Sequence, residues 1–164
     1  MRMTFAEAID GFFSPHTDRG VSNEAAVLRD WIKELRNHMS VTETLGKSYR
    51  ETRGSLIENY RECLSENWDG YAAKPTTEAD LVTAIRFLDT LPTSIPRPEV
   101  SVDPDGEFAF EWYNGPRNVL SVSIGNLGRI SYAAHVGRKR YHGTEYFADE
   151  LPVVIIENLE KLFS

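Results

Sequence analysis

The chain is poor in cysteine, in long apolar runs and in positive charge. Cys63 is the sole cysteine among 164 residues, so no disulfide can form within the chain and a reducing, cytoplasmic setting is expected. No apolar run approaches the roughly 20 residues of a membrane-crossing helix, and Val153 to Ile156 amounts to one helical turn. The opening residues, Met1-Arg2-Met3-Thr4-Phe5, carry no apolar stretch of the secretory type. Lys and Arg number 18 against 25 Asp and Glu, a net charge of -7. An acidic surface repels phosphate backbones and so argues against nucleic acid as a partner. Catalytic signatures are missing as well. There is no G-x-S-x-G, no Gly-rich phosphate loop ahead of a helix, and no C-x-x-C or H-x-x-x-H spacing. Neither a cofactor nor a metal is expected.

What is present suits one folded domain with a helical extension. Hydrophobic residues make up 41% of the chain, enough for a core without disulfide or metal. Residues 1–65 read as helical. A short helix is expected over 4–13, with Phe5, Ile9 and Phe12 on one face, broken by Ser14-Pro15 and Asp18-Arg19-Gly20. A second starts near Ser22 or Asn23, where Val27, Leu28, Trp31, Ile32 and Leu35 follow amphipathic spacing. Gly46 is the expected break. A third helix follows from about Tyr49 to Ser65, with Leu56, Ile57, Tyr60 and Leu64 as its stripe. Cys63, on that helix, reads as a small hydrophobe.

Residues 66–164 read as helix, sheet, helix. Thr77 and Asp80 have capping-box spacing, and Leu81, Ala84, Ile85 and Leu88 give the helix an apolar face. Pro92 ends it. Period-two alternation then begins at Val100 and Val102. Phe108, Phe110 and Trp112 point one way, and Glu107, Glu111 and Tyr113 the other. Leu120, Val122 and Ile124, then Ile130, Tyr132, Ala134 and Val136, continue the inner face. Lys139 to Tyr146 is a last strand. Asp149 is the expected cap of a final helix with Leu151, Ile155, Leu159 and Leu162 inward. The expected fold class is α+β: an antiparallel meander of about five strands, helices packed on one face, and an N-terminal helical extension. The acidity lies in this second part, with 9 basic and 15 acidic residues after position 65. A basic partner surface would be drawn there.

Asn67-Trp68-Asp69-Gly70-Tyr71 stands out at the seam between the two parts. Asp-Gly is turn chemistry, and here it is flanked by an indole and a phenol. One reading makes Trp68 and Tyr71 an aromatic shelf and Asp69 a charge that orients a ligand or partner. The other makes Trp68 a plug between helices and sheet, with Asp69 in an Asx-turn and Gly70 at positive φ. The plug reading leaves Asp69 as the member that packing explains least. The run Asn67 to Pro75 resembles a motif of small uncharacterised bacterial proteins, which reads N-W-D-G-Y-G-A and then a proline. The likeness extends through the Pro-rich connector, Asp103-Pro104-Asp105-Gly106-Glu107, Glu111-Trp112, Leu120-Ser121-Val122-Ser123 and His142-Gly143-Thr144-Glu145. Ala72 stands where the motif has glycine. The resemblance implies a module over residues 66–164 and supplies no chemistry.

Other candidates are weaker. His142 and Glu145 could form a proton-transfer pair, with Gly143 letting a ligand approach, but a spacing of three in extended chain does not make them face each other. His135 could lie near His142 or Tyr141, and with Asp69 or Glu145 suggest a loose metal site; the spacing has no metal signature. His16 and His38 fall in loop and helix-end positions. Arg138-Lys139-Arg140 sits at a hairpin tip, where such charge protects an edge from aggregation. Glu107, Glu111, Tyr113, Ser121, Ser123, Ser131 and His135 would share the outer sheet face, a docking surface in form.

The expected function is that of a small non-catalytic interaction or regulatory protein. Its partner would be another protein with a basic or apolar docking surface, the apolar contact made through Val27, Trp31 and Leu35. The proteins it resembles suggest an antitoxin-like or defence-system role. The alternative is an enzyme or small-ligand binder whose site gathers Trp68, Asp69, Tyr71, Trp112, His142 and Glu145.

Overall fold

Three helices and five strands make up the described part of the chain. The computed structural model describes residues 23–164, leaving aside the side chains of 23–28, 31 and 38–44. The short helix expected over 4–13 and His16 lie outside the described residues, as do the side chains of Val27, Trp31 and His38. The elements are α1 (Asn23–Glu62), α2 (Glu78–Thr90), β1 (Glu99–Val102), β2 (Phe108–Tyr113), β3 (Asn118–Ile124), β4 (Arg129–Val136), β5 (Lys139–Tyr146) and α3 (Val153–Phe163). They fall into two compact units, Met1–Thr42 and Glu43–Ser164.

The two expected N-terminal helices are one. Gly46 lies inside α1 and does not break it. A helical glycine costs only about 1 kcal/mol relative to alanine, too little by itself to end a helix of this length. Lys47 and Glu51 form an i,i+4 ion pair at 3.8 Å just beyond it. In the first unit Leu35 is exposed. In the second, Leu56 and Cys63 are buried in the core. That burial is why the second unit takes in the end of α1. The expected stripe member Leu64 is instead half exposed, because the helix stops at Glu62 and the chain turns.

The alternation after Val100 folds as a five-stranded antiparallel sheet in the order β1-β2-β3-β4-β5. Its inner face holds Phe108, Phe110, Trp112, Leu120, Val122, Ile124 and Ile130, all essentially inaccessible. Two helices cover it. α2 meets β2 and β3, while α3 meets β3 and β4. α2 begins with the expected capping box at Thr77 and Asp80, and it brings Phe87 to Phe110 at 4.8 Å between ring centres. α3 buries the expected Ile155, Leu159 and Leu162. Asp149 does not cap it. The first helical turn follows Pro152 without a side-chain cap, and the Asp149 carboxylate pairs with Arg86 of α2. The Asn59 amide of α1 donates to the Val100 carbonyl at 2.9 Å, so the β1 edge is partly satisfied. The β5 edge carries Lys139 and Arg140, beside the Gly137-Arg138 turn.

Candidate functional site

The Trp68 segment closes on itself. Asn67, Gly70 and Ala72 all have positive φ, at 61°, 78° and 70°. Three left-handed residues within six curl the chain into a tight loop. One oxygen of Asp69 accepts the Tyr71 N–H at 2.7 Å and the Ala73 N–H at 3.1 Å. The Asn67 side chain accepts the Ala72 N–H at 2.7 Å, and its backbone N–H donates to the Ala73 carbonyl at 2.8 Å. The Trp68 indole packs against the core and donates to the Lys74 carbonyl at 2.9 Å. Asp69 is thereby accounted for inside the loop. The Tyr71 side chain, by contrast, points to solvent at 90% exposure.

The loop also locks onto the sheet. The Lys74 N–H donates to the Pro104 carbonyl in the β1–β2 turn at 2.8 Å, and the Lys74 ammonium lies 3.4 Å from Asp105. Asp103, at the start of that turn, accepts from the Ser123 hydroxyl of β3. Thr76 N–H donates to the Cys63 carbonyl at 2.9 Å, tying the loop to the end of α1. Burial pushes the Cys63 thiol above its ordinary pKa, with a smaller push from Glu62, so it stays protonated.

The other expected site residues do not join this loop. Trp112 is 2% exposed on the inner face, its indole donating to the Pro96 carbonyl at 2.9 Å. His142 is exposed on β5 opposite Ala133, on the outer face. A sheet therefore separates Trp112 from His142. Glu145 opposes Ile130 and so shares the inner side, away from His142. His142 and Glu145 thus form no pair. Gly143 has a different reason from ligand access. Tyr132 lies opposite it, and a Cβ on Gly143 would sit 2.7 Å from the Tyr132 hydroxyl oxygen. The approaching group is this ring. His135 opposes Arg140, which places it diagonal to His142 on the same face; Tyr141 is on the inner side, opposite Ala134. Among the described residues there is no cluster of three or more His, Cys, Asp or Glu fit to hold a metal ion. No described helix is long and apolar enough to cross a membrane.

What the structure does assemble is the outer sheet face. Register places Glu99, Glu111, Ser121, Ala133 and His142 in one row across all five strands. The next row runs Ser101, Ala109, Ser123, Ser131 and Thr144. A third holds Tyr113, Val119, His135 and Arg140. The middle of the face is thus built of serine and alanine, with larger side chains at its borders. Glu107 crosses over Gly125 to pair with Arg129 at 3.3 Å; a Cβ on Gly125 would lie 2.9 Å from its carboxylate. The expected outer residues lie here as their alternation implied. Glu99, Arg140 and the shared row of His142 were missed, though strand parity and turn length together determine them. No family model, no curated protein and no solved structure matches the chain.

Proposed function

We propose that this protein is a docking protein without chemistry of its own, and that the outer face of the sheet is the surface it works through. One observation carries the reading. The inner face is filled by the core and covered by α2 and α3, while the outer face presents five strands without a covering helix among the described residues. Its central side chains are too small to hinder a close approach, and Glu99, Glu111, Tyr113, Arg140 and His142 stand exposed around them. The expected site of Trp68, Asp69, Tyr71, Trp112, His142 and Glu145 is not taken up, because Trp112 and His142 lie on opposite faces of the sheet. The free, buried Cys63 fits a reducing, cytoplasmic setting. An antitoxin-like or defence role is a narrower form of this proposal, to be reached through the partner.

Site-specific cross-linking tests it. A photoreactive residue at Ser121, in the centre of the face, is expected to capture protein in the native host. The same group at Val82, exposed on α2, serves as the control. Equal capture at both positions, or none at Ser121, would remove the face from consideration.

A further inference from the structure

The outer face has segregated charge. Its carboxylates, Glu99, Asp103, Glu107 and Glu111, all lie on β1, on β2 or in the turn between them. Its basic and imidazole groups, Arg129, His135, Arg140 and His142, all lie on β4 and β5. β3 separates the two halves with Val119, Ser121 and Ser123. Among the described residues, Glu107 and Arg129 are the opposite charges of this face that meet. The rest of the face sets the carboxylates of Glu99, Asp103 and Glu111 on one side of a neutral strand against the Arg140 guanidinium and two imidazoles on the other.

Such a face is complementary to itself. We infer that its occupant is a second copy of this chain, stacked face to face about a two-fold axis running close to β3. This rests on the docking reading above and names the partner. An axis along the strands lays β1 and β2 of one copy over β5 and β4 of the other. Glu99 then meets His142, with Arg140 diagonal to it, and Tyr113 meets His135. An axis across the strands would lay β1 on β1 and bring carboxylate onto carboxylate, which charge forbids. Ser121 and Ser123 lie nearest the axis and meet their own copies. Their small size lets the sheets close to the usual spacing of about 10 Å.

Size sets the strength. Five strands at about 4.8 Å and some seven residues of length give a patch of roughly 20 Å by 20 Å. That is less than the roughly 800 Å² per partner of a standard interface, so the dimer belongs with weak, transient contacts and responds to salt.

Sedimentation equilibrium of the full chain tests this up to about 1 mM, high enough to populate a weak dimer. Reversible dimerisation is expected, weakened about tenfold or more by Ser121→Trp and by Glu99→Arg or Arg140→Glu alone. Combining Glu99→Arg with Arg140→Glu restores the opposite charges and is expected to recover the dimer. A short bis-maleimide is expected to join two chains through Ser121→Cys and not through Val82→Cys, the native thiol being buried. Circular dichroism of each variant confirms that it folds. A monomer at every concentration overturns the inference, as does a dimer indifferent to Ser121→Trp. A dimer broken by Ser121→Trp that the charge exchange fails to restore overturns the two-fold arrangement. If the chain stays monomeric while the photoreactive group at Ser121 captures a different protein, the docking reading stands and the second copy does not.

Discussion

At the scale of single residues, the Trp68 loop separates structural roles from surface ones. Asp69 holds two backbone N–H groups with one oxygen. Asp69→Ala strands both donors and is expected to cost about 1–3 kcal/mol, whereas Asp69→Asn keeps an accepting oxygen and costs less. Trp68→Ala removes an indole from the core and is expected to cost at least as much, while Tyr71→Ala, at an exposed position, changes stability by under about 0.5 kcal/mol. Urea unfolding measures all four; a large loss at Tyr71 would show a contact the structure does not have. Ala72 adds a gain. Its φ of 70° is left-handed, which costs a non-glycine residue roughly 1–2 kcal/mol. Ala72→Gly is therefore expected to raise the melting temperature, with part of the benefit lost to unfolded-chain entropy. The sequence made the Asx-turn legible. It did not show Ala73 as a second donor, since that bond depends on how the whole loop curls.

At the scale of elements, short-range patterns were legible and long-range competitions were not. The strands after Val100 follow their alternation because each inner position must enter one shared core. Asp149 looked like a cap, but Arg86, distant in sequence, takes its carboxylate. Gly46 looked like a break, but the cost of one glycine, about 1 kcal/mol, is too small to end a long helix. Gly143 looked open to a ligand, and Tyr132 fills the space. That last pairing is testable. Gly143→Ala normally helps a strand, yet here it is expected to destabilise by about 1–3 kcal/mol through overpacking. The same change in a Tyr132→Ala background is expected to cost far less. Equal costs in both backgrounds, read by thermal unfolding, would show that the ring is not the obstacle.

At the scale of the molecule, one side of the sheet is committed to the core and the other has no covering helix among the described residues. The composition showed the acidity of residues 66–164 but not its placement, because charge segregation appears only when register sets the strands side by side. Glu99 and His142 lie more than forty positions apart in sequence and share one row of the sheet. Adjacent residues on opposite faces give the sharpest test. Ala133 is exposed on the outer face, and Ala134 is buried beneath it at 5% exposure. Methyl NMR of alanine-labelled protein, from about 20 μM to about 1 mM, spans the affinity of a patch this small. The Ala133 methyl signal is expected to move with concentration while that of Ala134 stays fixed. Movement of Ala134 with Ala133 fixed, or no movement of either at any concentration or in host-cell extract, would contradict the account of the outer face as the working surface.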